Sequence, residues 1–286
     1  MVGDFLDGNN SQKDCRLLVF TDLDGTLLDH ASYSFEPALP ALAVLKDNNI
    51  PLIVCTSKTR AEIELIRVQL NNMHPFISEN GGAIFVPRNY FPHMPQATRE
   101  DADYCIIDLG TSYSRLRGAF KHMCTALPGQ LKGFGDCAPE EIAHLCGFSL
   151  SSAVLAKKRE YDEPFLAKDG VSWELLQKIA DRFDLRINRG GRFNHLTGHH
   201  DKGQAVLLLR DLYRQQSGDL RMIALGDSHN DLPMLEVADY PILIKKHDGS
   251  YDSSIALDNL ILSPGSGPSG WCETLLDLLS DLGVKC

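Results

Sequence analysis

The sequence predicts an α/β protein in which an open, parallel sheet is interrupted by an inserted α/β domain. Short apolar runs that end in Asp, Gly or Thr alternate with segments of helical periodicity near both ends of the chain. This order favours a parallel sheet. Between the two regions the composition changes, and prolines and aromatic residues are concentrated at residues 87–95. We therefore predict a core of residues 15–87 and 199–286, and a cap of residues 88–198.

The first half of the core alternates strands and helices. Residues 17–20 form an apolar run, and residues 36–47 have helical spacing with Pro37 near the start, where a missing amide is tolerated. Residues 51–55 are typical of a second buried strand, and residues 61–70 of a second helix. Because strands that are joined through a helix usually lie parallel in one sheet, we expect these strands to be parallel and their crossovers to be right-handed.

The other elements are predicted from the same periodicities. Two short strands around a Gly-Gly pair are expected at residues 76–86. In the cap we predict strands at 104–108, 163–165, 184–188 and 192–196, and helices at 112–127, 139–146, 149–157 and 173–183. In the second half of the core we predict helices at 202–213, 232–238 and 271–282 and strands at 221–225 and 241–244, and Gly, Pro and Ser dominate residues 263–270.

Composition excludes several classes of protein. The chain has 286 residues and a formal net charge of -10, with no basic block, so nucleic acid and anionic membranes are poor partners. No apolar stretch reaches the ~18 to 20 residues that span a bilayer. The eight cysteines are scattered without a C-x-x-C pair, as in a cytoplasmic protein with reduced thiols.

The first 14 residues are polar, and from this we predict that they form a mobile leader. The sequence carries no signal for an oligomeric state.

An acidic pair follows the first predicted strand. Asp22 and Asp24 stand two residues apart, where a strand projects both side chains to one face. Two carboxylates held that close repel each other, which costs free energy. A bound divalent cation or a role in covalent chemistry would justify this cost. The alternative is an acidic turn that caps a helix, since Asp-Gly-Thr is also good turn chemistry.

Polar side chains follow other predicted strands at the same edge of the sheet. Thr56 and Ser57 follow residues 51–55, while Asp227 and Asp231 follow residues 221–225. Ligands of open α/β sheets bind beyond the carboxyl ends of the strands. Oxygen ligands suit Mg²⁺ better than Zn²⁺. The predicted metal ligands are Asp22, Asp24, Asp227 and Asp231.

This set of groups suits phosphoryl transfer. Asp22 can attack phosphorus and form an aspartyl-phosphate, and Asp24 can protonate the leaving oxygen and then deprotonate water. Lys202, at the start of a predicted helix, and the hydroxyl of Thr56 or Ser57 can bind the phosphate. Asp231 can instead support the lysine or a metal-bound water. The predicted catalytic residues are Asp22, Asp24, Thr56 and Lys202.

Four motifs in order resemble the haloacid dehalogenase superfamily. They are DLDGT at 22–26, Thr56, Lys202, and GDSHND at 226–231. The resemblance implies a Mg²⁺-dependent phosphatase with an aspartate nucleophile. It implies a Rossmann-like open parallel sheet core, haloacid dehalogenase-like, with an inserted α/β cap of the sugar-phosphatase branch. The second acidic residue, Asp24, speaks against a dehalogenase.

Further segments resemble the mannosyl-3-phosphoglycerate phosphatase family. They are TSKTRAE at 56–62, ENGGAIF at 79–85, REYDEPF at 159–165, GGRFNHLTG at 190–198 and SPGSGPSGW at 263–271. That resemblance implies hydrolysis of mannosyl- or glucosyl-3-phosphoglycerate to a glycosylglycerate, which is a compatible solute. The expected partner is a small phosphorylated sugar or glycerate substrate. The adjacent pair His199 and His200 departs from the family pattern, and we expect both to be solvated.

The substrate would carry a phosphate and a carboxylate. Basic residues are candidates to hold these anions, and Arg suits a planar carboxylate best; a surface charge or a salt bridge is the alternative for each. Asn80 and Glu163 could bond sugar hydroxyls, with the same alternative of a surface charge or a salt bridge. His195 could contact substrate or be a hydrogen-bonded histidine of the cap. The predicted substrate-binding residues are Ser57, Lys58, Arg60, Asn80, Arg159, Glu163, Arg192 and His195.

Two other functions remain compatible with the sequence. One is a phosphatase or phosphomutase for another sugar phosphate, in which case the mutase would pass the phosphoryl group of Asp22 to a sugar. The other is a non-catalytic sugar-phosphate-binding regulatory protein. The intact pair of Asp22 and Asp24 argues against the regulatory protein.

Overall fold

The computed structural model describes residues 16–92, 94, 97–189 and 193–285. The predicted leader and Arg192 therefore lie outside the described residues. In chain order the strands are β1 (Arg16–Thr21), β2 (Leu52–Cys55), β3 (Phe76–Ser78), β4 (Ala83–Pro87), β5 (Arg99–Glu100), β6 (Tyr104–Asp108), β7 (Leu131–Gly133), β8 (Asp162–Ala167), β9 (Arg186–Arg189), β10 (Asn194–Thr197), β11 (Leu220–Gly226), β12 (Tyr240–Lys245) and β13 (Ile261–Ser266).

Helices cover both faces of the first sheet and one side of the second. They are α1 (Leu39–Asp47), α2 (Arg60–Gln69), α3 (Tyr113–Ala126), α4 (Pro139–Cys146), α5 (Leu150–Ala156), α6 (Trp173–Asp181), α7 (Lys202–Ser217), α8 (Leu232–Glu236) and α9 (Gly267–Asp281). Short 3-10 turns lie at Glu36–Ala38, Phe134–Asp136 and His229–Asp231. Each helix predicted from the sequence is present, within a few residues of its predicted ends. None of the described helices combines the length and apolar character needed to cross a membrane.

The first sheet has the strand order β13-β12-β11-β1-β2-β3-β4-β6-β5. The six strands from β13 to β3 pair in parallel. Strands β4, β6 and β5 extend the sheet in antiparallel fashion. The predicted α/β class with a parallel core is therefore confirmed.

Both faces of the parallel strands are buried, which explains why the strands are continuous apolar runs. On β1, Val19 belongs to one apolar cluster, and its neighbours Leu18 and Phe20 belong to another on the opposite face. Helices α1 and α9 cover the first face. Helices α7 and α8 cover the second face. Because helices cover both of these faces, a ligand can approach the parallel strands at their ends.

The second sheet has the order β7-β8-β10-β9, with every pair antiparallel. Helices α3 and α6 pack against it through an apolar cluster that includes Phe120, Phe165 and Leu196. The sequence assigned residues 88–198 to the cap, but β5 and β6 belong to the first sheet. We therefore propose that the inserted unit begins after Asp108.

One strand of the core was not predicted. No element was assigned to residues 263–270, but β13 occupies Ile261–Ser266 and α9 begins at Gly267. Pro264 and Gly265 lowered the strand signal. They are tolerated because β13 lies at the edge of the sheet, where a strand can lack amide donors on its outer side.

Candidate active site

Two neighbouring strands bring three carboxylates together at the predicted edge of the sheet. Asp22 follows β1, and Asp227 follows β11, its parallel neighbour. The amide of Asp22 donates to the carbonyl of Leu225 at 2.9 Å, which fixes the relative position of the two loops. One oxygen each from Asp22, Asp227 and Asp231 lies within 4.8 Å of the others. The described residues thus form a cluster with the chemistry of a divalent metal site.

A buried lysine joins this cluster. Lys202 is fully buried at the start of α7, and its Nζ lies 2.7 Å from Oδ1 of Asp22 and 2.6 Å from Oδ1 of Asp231. Burial lowers the pKa of Lys202, but the two carboxylates more than offset this and hold the pKa above its ordinary value. Lys202 therefore stays protonated and presents a fixed positive charge.

The cluster holds more negative than positive charge. Burial, together with the charge of Asp231, raises the pKa of both Asp22 and Asp227. One ammonium group cannot neutralise three carboxylates, so the ionised cluster favours a further cation. Hard oxygen donors on three side chains fit a divalent metal such as those typical of phosphoryl-transfer sites.

Asp231 organises its neighbours through both oxygens. Oδ1 accepts from Lys202, while Oδ2 accepts from the amides of Asp227 at 3.0 Å and Ser228 at 3.1 Å. The residue is fully buried. Its position supports a role in holding the lysine and the loop, which is one of the two roles considered from the sequence.

Asp24 is set apart from the three clustered carboxylates. Its Oδ2 pairs with Nζ of Lys58 at 2.8 Å, and its buried Oδ1 has no hydrogen-bond partner among the described residues. Gly25 has φ +77°, and a Cβ there would lie 3.0 Å from Oδ2 of Asp227, so glycine allows the loop to pass close to the acidic cluster. The role of Asp24 as a metal ligand stays a prediction, and in this structure its carboxylate contacts Lys58.

The loop after β2 supplies the predicted hydroxyls. Thr56 is fully buried, and its carbonyl accepts from the amide of Asn80 at 2.9 Å. Ser57 lines the cavity described below, while the hydroxyl oxygen of Thr56 accepts a long, 3.5 Å bond from the amide of Lys58. Asn80 adopts a left-handed conformation with φ +57°, and its Oδ1 accepts from Asn230.

Two cavities that share lining residues lie at the site, and the larger one borders the acidic cluster at Asp22. The larger, of about 330 Å³, is lined by residues that include Asp22, Asp24, Ser57, Asn80, His195 and Lys202. The smaller, of about 180 Å³, is lined by residues that include Asp24, Ser57, Lys58, Arg159, His195, Phe134, Phe148 and Phe193. Because Asp24, Ser57 and His195 border both cavities, a ligand with two parts could occupy them together.

Arg159 and His195 meet at a buried carboxylate that the sequence analysis did not single out. Asp162 is fully buried, and its Oδ2 lies 2.7 Å from Nδ1 of His195 and 3.5 Å from Nη1 of Arg159. The same Nη1 donates to the carbonyl of Ser57 at 2.8 Å. This chain of contacts links β8 and β10 of the second sheet to the loop after β2.

Two predicted substrate-binding residues are not brought to the cavities. Arg60 pairs with Glu64 at 2.8 Å and with Asp101 at 2.6 Å. Glu163 is fully buried and accepts from Tyr113 at 2.6 Å, from Arg117 and from the amide of Gly135. Both side chains are satisfied within the protein, as the alternative of an internal salt bridge implied.

Some residues that line the larger cavity were missed. Arg186, Asn188 and Thr197 come from β9 and β10. His200, expected to be solvated, is only 3% exposed, and its Nε2 lies 3.3 Å from the carbonyl oxygen of Glu79. Arg186 and Asn188 stand two residues apart on a predicted strand and so lie on the same face. This pattern could have identified them as neighbours in a site. Burial of His200 depends on packing between distant segments, which the local sequence does not encode.

The chain is similar to known proteins over most of its length. A family model described as haloacid dehalogenase-like hydrolase matches residues 19–110 and 166–249. A glucosyl-3-phosphoglycerate/mannosyl-3-phosphoglycerate phosphatase of Methanococcoides burtonii is 46% identical over 263 residues, which are 92% of this chain and 97% of that protein. A protein of the same name from Persephonella marina is 39% identical over 94% of this chain and 100% of its own length.

A solved structure has the same fold at low identity. It is a phosphatase of the haloalkanoate enzyme superfamily from Bacteroides thetaiotaomicron, with a TM-score of 0.67 and 16% sequence identity. The match covers 98% of this chain and 100% of that chain. At this identity the likeness concerns the arrangement of strands and helices alone.

Proposed function

This chain belongs to the haloacid dehalogenase-like hydrolases, and from that membership we propose that it hydrolyses a glycosyl-3-phosphoglycerate in a Mg²⁺-dependent reaction. The products are a glycosylglycerate and inorganic phosphate, and the glycosyl group is glucose or mannose. The names of the relatives from Methanococcoides burtonii and Persephonella marina support this substrate class. The observation that carries the proposal is the contact of buried Lys202 with Asp22 at the floor of a cavity large enough for a small phosphorylated ligand.

Asp22 is the proposed nucleophile. Lys202 donates to its Oδ1, and we assign attack on phosphorus to Oδ2. An O–P bond forms to Asp22 as the ester P–O bond breaks, and the leaving oxygen takes a proton from Asp24. Water then attacks phosphorus, gives its proton to Asp24 and releases phosphate, which restores the carboxylate of Asp22. Lys58, 2.8 Å from Asp24, is placed to orient that carboxyl group.

Asp22 and Asp227 are the residues that would hold Mg²⁺, with Asp231 behind them. The raised pKa of Asp22 and Asp227 and the common position of the three carboxylates support this assignment. When bound, the ion supplies positive charge against the phosphoryl oxygens. Thr56 and Ser57 are proposed phosphate contacts at the end of β2.

The smaller cavity is the proposed place for the glycosyl part. Arg159 and His195 lie there beside aromatic side chains, which suits a sugar that has polar edges and apolar faces. The proposal extends to a cytoplasmic location, since Cys55 and Cys272 are buried free thiols of the kind that a reducing compartment maintains.

A screen of phosphate release tests the proposal. The full chain with Mg²⁺ is assayed on glucosyl-3-phosphoglycerate, mannosyl-3-phosphoglycerate and a panel of common sugar phosphates. We expect the highest kcat/KM on one of the glycosyl phosphoglycerates. Preference for another sugar phosphate would overturn the substrate assignment, and sugar bisphosphate formed in place of free phosphate would identify a mutase.

A further inference from the structure

Strand β9 contributes side chains to the lining of the larger cavity. Its residues Arg186, Asn188 and Arg189 line the cavity that Asp22 and Lys202 also line. The cavity therefore combines the acidic cluster with two arginines from the second sheet. A ligand whose phosphate meets Asp22 can reach these arginines with its remaining part.

Most cations around the site already have carboxylate partners. Lys202 pairs with Asp22 and Asp231, Lys58 pairs with Asp24, and Arg159 lies beside Asp162. These three charges are compensated before any substrate arrives. They are therefore weak candidates for recognition of a second anionic group on the ligand.

Arg186 differs from these residues. Its Nη2 donates to the carbonyl oxygen of His200, which carries no formal charge. Its Nε is buried and has no hydrogen-bond partner among the described residues, and no described carboxylate forms an ion pair with it. The charge of this guanidinium therefore has no carboxylate partner among the described residues, and because Arg186 lines the larger cavity, an anionic group of a ligand can supply one.

We propose that Arg186, with Asn188 beside it, binds the carboxylate of the glycerate part of the substrate. The inference rests on the proposed function, because a glycosyl-3-phosphoglycerate carries its carboxylate on the same three-carbon unit as its phosphate. A guanidinium matches a planar carboxylate with two donors, and the amide of Asn188 can donate to the same group. Arg186 thus distinguishes phosphoglycerate esters from simple sugar phosphates.

The test compares Arg186→Gln with the wild type on two matched substrates. One is the glycosyl-3-phosphoglycerate, and the other is its carboxyl methyl ester. We expect Arg186→Gln to lower kcat/KM about 10- to 100-fold on the acid and to leave kcat/KM on the ester within about twofold of the wild type. An equal loss on both substrates, or no loss on either, would overturn the proposal.

Two further variants exclude a structural effect. Arg186→Lys keeps the charge and is expected to recover part of the activity on the acid. Arg182→Gln removes an exposed charge from the end of α6 and is expected to change neither substrate's kcat/KM. Thermal unfolding of all three variants checks that they fold. If Arg182→Gln reproduced the selective loss, a general electrostatic effect would replace the proposed subsite.

A binding experiment separates this inference from the proposed function. In an Asp22→Asn background with Mg²⁺, calorimetry measures the affinities of 3-phosphoglycerate and glycerol 3-phosphate, which differ at the carboxylate. We expect tighter binding of 3-phosphoglycerate, and loss of that preference when Arg186→Gln is added. The absence of any preference in the Asp22→Asn protein contradicts the subsite even if the glycosyl substrates are hydrolysed. A preference removed by Arg186→Gln supports it even if they are not.

Discussion

The carboxylate of Asp162 lies 2.7 Å from Nδ1 of His195, and Asp162 is completely buried whereas His195 borders both cavities. A histidine held in this way has a fixed ring orientation, and its Nε2 is the nitrogen left to face a ligand. Asp162 is therefore a positioning residue that acts through His195. The arrangement resembles the outer carboxylates that orient histidines in many active sites.

We expect Asp162→Asn to lower kcat/KM about 10- to 100-fold, because the neutral amide orients His195 less strongly. A double-mutant cycle with His195→Gln checks the route of the effect. If Asp162 acts through His195, adding Asp162→Asn to His195→Gln causes little further loss. Fully multiplicative losses would show that Asp162 acts independently of the histidine.

Lys202→Met should remove both activity and stability. The substitution leaves Asp22 and Asp231 buried without their shared cation, and breaking a buried ion pair costs about 3–5 kcal/mol. The free energy of unfolding, measured by denaturant titration at neutral pH without metal, reports the loss. A variant as stable as the wild type would show that Lys202 does not hold the cluster together.

Metal affinity should depend on pH in a defined direction. Burial raises the pKa of Asp22 to about 7 and that of Asp227 to about 8. A cation binds the ionised carboxylates, so protons compete with it below these values and the competition is relieved above them. We expect Mg²⁺ affinity, measured by calorimetry, to be at least about tenfold weaker at pH 6 than at pH 8.5. Affinity that is independent of pH would contradict this ligand set.

The metal-free protein should show the opposite dependence in its stability. A carboxyl group whose pKa is raised in the folded state binds its proton more tightly when folded, so folding is favoured as pH falls from about 8 toward the ordinary carboxyl pKa. Thermal unfolding with EDTA is therefore expected at a higher temperature at pH 5.5 than at pH 8.5. With saturating Mg²⁺ this difference should shrink, and a difference of the same size with and without the ion would refute the link.

Lys58 and Arg60 were both predicted to bind substrate, but the structure separates them. Lys58 contacts Asp24 beside the cavities, whereas Arg60 pairs with Glu64 and Asp101 outside them. We expect Lys58→Met to lower kcat/KM at least about tenfold, because Asp24 loses its partner. Arg60→Gln should change kcat/KM less than about twofold. Steady-state kinetics of the two variants measure both effects.

The sequence predicted the parts of the fold that depend on local pattern. The strand before Asp22, the helix that begins at Lys202 and the loop that contains Asp227 are where the motifs placed them. The sequence did not predict β13, because Pro264 and Gly265 carry a loop signal that an edge position overrides. Local pattern is therefore informative where one segment's own periodicity sets its structure.

Contacts between distant segments are what the sequence did not predict. The placement of Asp24 against Lys58 and the burial of His200 on Glu79 each join loops that are far apart in the chain. The carboxylate of Asp162 was passed over for the same reason, since only β10 brings His195 to it. These pairings follow from packing and strand register, which no single motif records.

The central claim is that Asp22 is the nucleophile of a glycosyl-3-phosphoglycerate phosphatase. It is tested most directly by the rate of phosphate release from that substrate, with Mg²⁺, by Asp22→Asn beside the wild type, with exposed Asp258→Asn as the matched control. The account predicts wild-type rates for Asp258→Asn and a loss of at least about 1,000-fold for Asp22→Asn, which keeps the shape of the side chain but not the attacking charge. Near wild-type phosphate release by Asp22→Asn would contradict it.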